Sequence, residues 1–353
     1  QAVRGRCPGR RALVTLRRNV LLWRHRAVHA SGPLPEDTVQ SALRPLLLAL
    51  EHCRSALPDA PVLHLHVPKT AGSSLCFWAD ASGLAPAHDR GAPCFFYGDG
   101  PSWLGQTGLP ASCKQRLRES GGAAVSWMSV ERWLDLPLCE GLYHTVVLRE
   151  PIPRMVHHFK HLLNYFLKEG SRGAWHGIDV TSLTDGFFGR LWRFEGVRGW
   201  IRNQSRAADA AEDWLDLWLG FSSNYQVRSL AGAARGQAFL EGREAAERRL
   251  AAAAQVLEQL DVVLVVGEEG PLSPWQEALL AHGLRVRERA EMPFVSHGVS
   301  NESEHNVLPS YPWAPGELEE ARARNAGDAA LVQHARLLER LDREYLALVG
   351  IET

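Results

Sequence analysis

The amino-acid sequence predicts an α/β fold in which a central parallel sheet lies between layers of helices. Short, almost continuously apolar runs recur along the chain, and such runs are typical of parallel strands that are buried on both faces. Amphipathic helical patterns separate these runs, which is the order of elements in a parallel sheet with crossover helices. With 353 residues, the chain is long enough to bury one large core.

Composition excludes several classes of partner. Hydrophobic residues make up 45% and charged residues 22% of a chain whose net charge is -1, so we expect neither a nucleic-acid partner nor a global affinity for membranes. The first 35 residues are rich in arginine and have no apolar signal core, and the chain does not begin with methionine. We therefore expect a poorly ordered segment over residues 1–35, a single domain over 36–353, and a membrane anchor upstream of the given sequence.

Each element is predicted by its own apolar pattern. Leucines and alanines at helical spacing predict a helix over residues 37–53. Apolar runs predict strands at 62–67, 123–127, 143–148 and 261–267. A loop at 68–72 and a turn or helix start at 128–134 follow the first two strands, and further helices are predicted from 73, from 150, and at 244–260, 274–282 and 331–348.

The loop after the first strand has the composition of an anion site. A strand, a tight loop and a helix start direct backbone N–H groups and a helix N-terminus to one point, and the loop adds an ammonium and hydroxyl groups. Lys69 precedes Gly72, whereas a Walker A loop places its lysine after the glycine at the helix entry. The candidate phosphate-binding residues are Pro68, Lys69, Thr70, Ala71, Gly72, Ser73 and Ser74.

A second candidate site residue ends the third predicted strand. Arg149 lies at the carboxyl end of that strand and just before a helix, where an open α/β sheet holds phosphate groups. A structural salt bridge is the alternative for this arginine.

The nine residues His66 to Ser74 resemble the 5′-phosphosulfate loop of sulfotransferases that use 3′-phosphoadenosine 5′-phosphosulfate (PAPS), in particular the Golgi carbohydrate branch with the heparan sulfate 2-O and 6-O enzymes. The resemblance implies a P-loop-like three-layer sandwich, PAPS as co-substrate, a carbohydrate hydroxyl as acceptor, and no metal. It also implies that Lys69 is catalytic, as the cation at the bridging oxygen of the donor.

Two further segments resemble the same family. The stretch from Leu148 to Arg154 is similar to the family's 3′-phosphate motif, which implies that Arg149 binds that phosphate; His157 stands where the motif has a serine. An Asn-x-Gln-x-Arg pattern implies that Asn224 and Arg228 line the substrate site. Position in the chain also implies an acceptor cleft from residues 82–112 and a nucleotide-closing loop at 299–306.

The general base is harder to assign. The family's carbohydrate branch uses a histidine near the second strand, whereas residues 123–128 contain none. Glu131 is the candidate base, and an exposed helix carboxylate is the alternative. His64, His66 and His144 are interpreted as structural histidines.

Cysteines and sequons indicate the compartment. None of the six cysteines is spaced as a zinc site; Cys94, Cys113 and Cys139 are expected to be able to pair in an oxidising lumen, and Cys76 is expected to be a buried thiol. Asn203 and Asn301 begin glycosylation sequons. We expect a glycoprotein of the Golgi lumen.

The function predicted from the sequence is sulfuryl transfer from PAPS to a carbohydrate hydroxyl. A non-catalytic nucleotide- or glycan-binding relative is the alternative, because the serine and histidine positions differ. A P-loop kinase is disfavoured by the position of Lys69 and by the lack of an evident Mg²⁺-holding aspartate after a strand.

Overall fold

A computed structural model describes the chain over residues 7–33, 35, 38–87, 94, 112–120, 125–134, 137–158, 223–232, 243–267, 272–286 and 316–351. Within these residues, four strands form an all-parallel sheet in the order β2-β1-β3-β4. The strands are β1 (Val62–Leu65), β2 (Trp127–Val130), β3 (Tyr143–Arg149) and β4 (Val262–Val266). The predicted α/β class with a parallel sheet is confirmed.

Helices pack against this sheet. In chain order they are α1 (Arg10–Ser31), α2 (Arg44–Ser55, preceded by a π-helical turn at Val39–Leu43), α3 (Gly72–Ala81), α4 (Cys113–Ser120), α5 (151–158), α6 (Tyr225–Ala231), α7 (Arg243–Leu257), α8 (Pro274–Gly283), α9 (Glu317–Arg324) and α10 (Ala326–Val349). The long helix α10 contacts β3 and β4, and α3 contacts β2. The leucine stripe of α10 is buried, as its helical apolar period predicted.

The order of the strands decides where a site can form. β1 lies between β2 and β3, and the three strands run in the same direction. Their carboxyl ends therefore meet at one edge of the sheet, and the chain that follows each strand contributes side chains to the same place. The described strand residues are buried on both faces, apart from the partly exposed Arg149 at the end of β3.

The second strand was predicted in the wrong place. β2 runs from Trp127 to Val130, whereas the sequence analysis placed the strand at 123–127 and a turn or helix start after it. The polar Ser129 interrupts the apolar run, yet it is fully buried inside the sheet. Because β2 ends later, Glu131 directly follows the strand.

The expectation of disorder near the N-terminus was also wrong. Residues 10–31 form the 22-residue helix α1, which buries Leu13, Leu21 and Leu22 in the core. Two of its arginines, Arg17 and Arg18, are buried and form ion pairs with Asp342 of α10 at 3.2 and 2.8 Å. Arginine content alone therefore suggested poor order where a helix forms, because two of these arginines have a buried anionic partner.

All six cysteines are paired. The disulfides join Cys7 to Cys53, Cys76 to Cys94 and Cys113 to Cys139. The prediction that Cys76 is a free buried thiol was wrong, because Cys94 reaches it from the long connection after α3. The backbone of Cys94 also accepts a hydrogen bond from Ser129 N of β2, which brings the two sulfur atoms within bonding distance.

The buried ion pairs of α1 yield a stability prediction. Asp342→Asn leaves Arg17 and Arg18 buried without their anion, and we expect a loss of about 3 kcal/mol or more in the free energy of unfolding. Urea denaturation measures it. The control is Glu344→Gln, whose partner Arg24 is more exposed, so the expected loss is below about 1 kcal/mol. Equal losses in the two variants would contradict this account of α1.

Candidate functional site

The loop between β1 and α3 has an unusual backbone. Lys69 and Ala71 have φ angles of 68° and 70°, in the left-handed region that non-glycine residues rarely adopt. Each such residue costs about 1–2 kcal/mol, so the rest of the structure must hold the loop in this form. Thr70 Oγ1 donates a hydrogen bond to Val67 O at 2.7 Å and closes the turn. Strained backbone of this kind is concentrated at functional sites.

The loop opens directly into α3. Ala71 is the N-cap of this 10-residue helix and has no polar side chain, so its side chain takes no hydrogen bond from the first turn. The N–H groups of that turn are thus oriented toward the loop, together with the positive end of the helix dipole. Ser73 is partly exposed and Ser74 is buried in the same turn. This geometry is compatible with the anion site that the sequence predicts.

Gly72 is required for a reason that the sequence did not reveal. A Cβ at this position would lie 2.1 Å from His66 Nε2, so only glycine fits against the imidazole ring. The structure thus gives the glycine a packing role beside His66.

Glu131 lies next to this histidine. The carboxylate follows β2, and its Oε1 atom is 3.4 Å from His66 Nδ1. His66 N in turn donates to Val130 O at 2.9 Å, so the ends of β1 and β2 are held together. Glu131 is 8% exposed, which removes the alternative that it is an exposed helix carboxylate.

Lys69 and Glu131 influence each other's ionisation. Burial lowers the pKa of Lys69 to about 8, an effect that the negative charge of Glu131 partly offsets. Burial raises the pKa of Glu131 to about 8, and the positive charge of Lys69 partly offsets that effect. Both groups therefore change charge in the same pH range. Shifted pKa values that arise from burial and a specific charge partner are concentrated at functional sites.

Arg149 reaches the same loop from β3. Its Nη1 atom lies 3.5 Å from Lys69 O and 3.3 Å from His157 Nδ1. The two residues predicted to hold the 3′-phosphate are therefore adjacent to each other and to the loop predicted to hold the 5′-phosphosulfate. The structure brings together Lys69, Glu131, Arg149 and His157.

The two predicted substrate residues on and beside α6 have different surroundings. Asn224 precedes α6, and its Oδ1 atom accepts a hydrogen bond from Asp328 N at 2.9 Å, so its side chain bonds the first turn of α10. Arg228 is buried, with its guanidinium 5.2 Å from the Trp133 ring centroid and 6.0 Å from that of Tyr225. Burial lowers the pKa of Arg228 to about 10.

Two of the three strand histidines have structural surroundings. Burial lowers the pKa of His64 to about 3. Burial likewise lowers the pKa of His144 to about 3, and its Nε2 atom accepts a hydrogen bond from Cys139 N. Both rings are neutral at physiological pH, which fits their interpretation as core residues. His66 differs, because it contacts Glu131.

Some residues at the site were not anticipated. Tyr225 lies near Glu131, since burial and then the charge of this carboxylate raise the pKa of its phenol. Gln226 bonds the backbone of Arg149, and Asp328 bonds the start of α6. Gln226 is the middle residue of the Asn-x-Gln-x-Arg pattern, which was the one signal in the sequence that could have identified it.

Several predicted features lie outside the described residues. They are most of the 82–112 connection, the helix beyond residue 158, the sequons at Asn203 and Asn301, and the polar loop at 299–306. In the part of the chain that is described, no cluster of three or more His, Cys, Asp or Glu residues could hold a metal ion. None of the described helices combines the length and apolar composition of a membrane span.

Comparison with known proteins adds no assignment. The chain matches no protein-family model, and no curated protein matches its sequence.

The raised pKa of Glu131 predicts how stability depends on pH. Between about pH 5 and pH 8, the folded protein holds a proton on Glu131, whereas the unfolded chain has already released it. The free energy of unfolding therefore contains a contribution that is lost as pH rises, by about 1.4 kcal/mol per pH unit in that window. Above pH 8, the lowered pKa of Lys69 gives a contribution of opposite sign.

Between about pH 5 and pH 8, the wild type loses free energy of unfolding as Glu131 gives up the benefit of its bound proton. Glu131→Gln should lack this loss, so the variant becomes more stable relative to the wild type as pH rises. Urea denaturation at a series of pH values measures the difference. Glu244→Gln, on the exposed side of α7, is the control and should follow the wild-type profile. Parallel profiles for wild type and Glu131→Gln would show that this carboxyl ionises normally.

Proposed function

We propose that this protein is a PAPS-dependent sulfotransferase that transfers a sulfuryl group to a hydroxyl of a carbohydrate acceptor. The loop at residues 68–74 would hold the 5′-phosphosulfate, and Arg149 with His157 would hold the 3′-phosphate. In this proposal the parallel sheet and its helices form a P-loop-like three-layer sandwich.

One observation carries the proposal. The Arg149 guanidinium, at the end of β3, lies 3.5 Å from the carbonyl oxygen of Lys69, in the loop after β1. The guanidinium therefore contacts the backbone of the loop that contains Lys69, and we propose that the two side chains bind opposite ends of one doubly anionic nucleotide. The electrostatic coupling of Lys69 to Glu131 adds a titratable carboxyl at the same point.

The residues have distinct tasks in the proposed reaction. PAPS supplies the sulfuryl group, and the bond between sulfur and the bridging phosphate oxygen breaks as the acceptor oxygen bonds to sulfur. Protonated Lys69 stabilises the negative charge that develops on the departing phosphate. Ionised Glu131 takes the proton of the acceptor hydroxyl. His66, 3.4 Å from Glu131, orients that carboxylate.

The ionisation of the pair suits this division of tasks. Transfer needs Lys69 with its proton and Glu131 without one, and pKa values of about 8 place that form within reach at neutral pH. A bound anion beside Lys69 favours the protonated ammonium further. Burial strengthens the attraction of Lys69 to Glu131 and its attraction to a bound anion, since a low dielectric increases electrostatic energies.

The compartment is proposed on the cysteines. Three disulfides account for every cysteine of the chain, and disulfides of this kind persist in oxidising compartments. We propose residence in the Golgi lumen. The second candidate function, a non-catalytic nucleotide- or glycan-binding relative, is favoured by His157 in the position of the family's serine.

The proposed activity is tested with a labelled sulfate donor and a panel of glycans, lipids and small alcohols. We expect label on a glycan with the wild type, and about 100-fold or greater loss with Lys69→Ala, because one charged donor to the transition state is removed. Lys114→Ala, on the short helix α4, is the matched control and should retain activity. Circular dichroism confirms that both variants are folded.

Nucleotide binding without transfer to any acceptor in the panel would favour the non-catalytic relative. Equal transfer by wild type and Lys69→Ala would exclude Lys69 from the reaction.

A further inference from the structure

The backbone of Arg149 is held by a buried side chain from a distant part of the sequence. Arg149 N donates a hydrogen bond to Gln226 Oε1 at 3.0 Å, and Gln226 Nε2 donates to Arg149 O at 2.8 Å. One primary amide therefore satisfies both backbone groups of the last residue of β3. Gln226 is fully buried, so water does not compete for these bonds.

The side-chain amide of Gln226 lies beside the end of β3, where β1 no longer pairs with it. β1 pairs with β3 only as far as Leu65, opposite Val146, and then leaves the sheet to form the loop. Arg149 lies three residues beyond that last pair. Gln226 supplies the hydrogen bonds that a continuing strand would have made. β4 pairs with Arg149 on the other side, opposite Val266, so Gln226 holds the side of this strand end that β1 has left.

Gln226 is itself fixed from α10. The Asp328 carboxylate accepts hydrogen bonds from Gln226 N at 3.1 Å and Val227 N at 2.9 Å, at the start of α6. Asp328 N donates to Asn224 Oδ1 at 2.9 Å, so α6 and α10 cap each other. Asp328 is fully buried. The chain of contacts runs from α10 through Gln226 to Arg149.

We propose that Gln226 and Asp328 are positioning residues that aim the Arg149 guanidinium at the 3′-phosphate, and thereby set the preference for nucleotides that carry this group. The inference rests on the proposed function of the same site. It assigns the discrimination to residues that touch no phosphate themselves.

The opposite end of the site has supports of its own besides the 3.5 Å contact between Arg149 Nη1 and Lys69 O. The Lys69 loop is closed by the Thr70 hydrogen bond to Val67 O, and its strand is held by the ladders with β2 and β3. Displacement of Arg149 should therefore weaken binding of the 3′-phosphate and leave binding of the 5′-phosphate nearly unchanged.

The test compares two ligands by calorimetry: adenosine 3′,5′-bisphosphate and adenosine 5′-phosphate. We expect Gln226→Met, which keeps the volume but loses both hydrogen bonds, to weaken binding of the bisphosphate by about tenfold or more, since small misplacement of a charged group is costly. Affinity for the monophosphate should stay within about twofold of wild type. In an Arg149→Met background, Gln226→Met should have no further effect.

Gln276→Met is the matched control. Gln276 is also a buried glutamine whose Nε2 atom bonds a strand carbonyl, Val265 O of β4, but its amide bonds Val265, Glu339 and Ser273 rather than Arg149. It should lower stability without changing the ratio of the two affinities. If Gln226→Met does not fold, Gln226→Asn replaces it; it keeps the amide but is too short to bond both Arg149 N and Arg149 O, and it should show the same selective loss.

The outcomes separate the two proposals. A wild type that binds both nucleotides equally, or neither, overturns the proposed nucleotide site and this inference with it. A wild type that prefers the bisphosphate, with the same preference in the folded Gln226 variant, leaves the function standing and overturns the positioning role. Equal loss for both ligands, or loss in Gln276→Met as well, would mean that Gln226 supports only the fold.

Discussion

The joint burial of Lys69 and Glu131 at the ends of two adjacent parallel strands is the constraint on which the site depends. Neither charge would be stable alone in this environment, and the shift of both pKa values to about 8 reflects the cost of burial and its partial compensation by the partner. His66 lies 3.4 Å from Glu131 and forces residue 72 to be glycine. The strained loop, the missing Cβ and the paired charges are thus parts of one arrangement.

The sheet makes this arrangement possible, and most of the sheet follows from the sequence. β1, β3 and β4 were predictable because their apolar runs are continuous, as burial on both faces requires. The parallel direction of the strands then places the residues after β1, β2 and β3 at one edge, so the proximity of Lys69 and Arg149 was predictable before any coordinates. β2 was displaced in the prediction because its buried Ser129 breaks the apolar pattern.

Other parts of the molecule could not be inferred because their causes are distant in sequence. Arg17 and Arg18 look like surface charges until Asp342 is placed beside them by the packing of α1 on α10. The Cys76–Cys94 disulfide depends on where the connection after α3 crosses β2. Gln226 is marked in the sequence only by the Asn-x-Gln-x-Arg pattern, and tertiary structure alone brings its amide to the backbone of Arg149. Local apolar patterns predict the strands, whereas contacts between residues distant in sequence determine how the site residues are positioned.

The central claim is that two neighbouring strand ends bind one doubly anionic nucleotide. Titration calorimetry with adenosine 3′,5′-bisphosphate, and with ATP and Mg²⁺ in parallel, tests it most directly. The account predicts micromolar binding of the bisphosphate that is lost when Lys69 and Arg149 are both replaced by alanine. No heat with the bisphosphate, together with clear binding of ATP, would contradict it and favour a kinase-like protein.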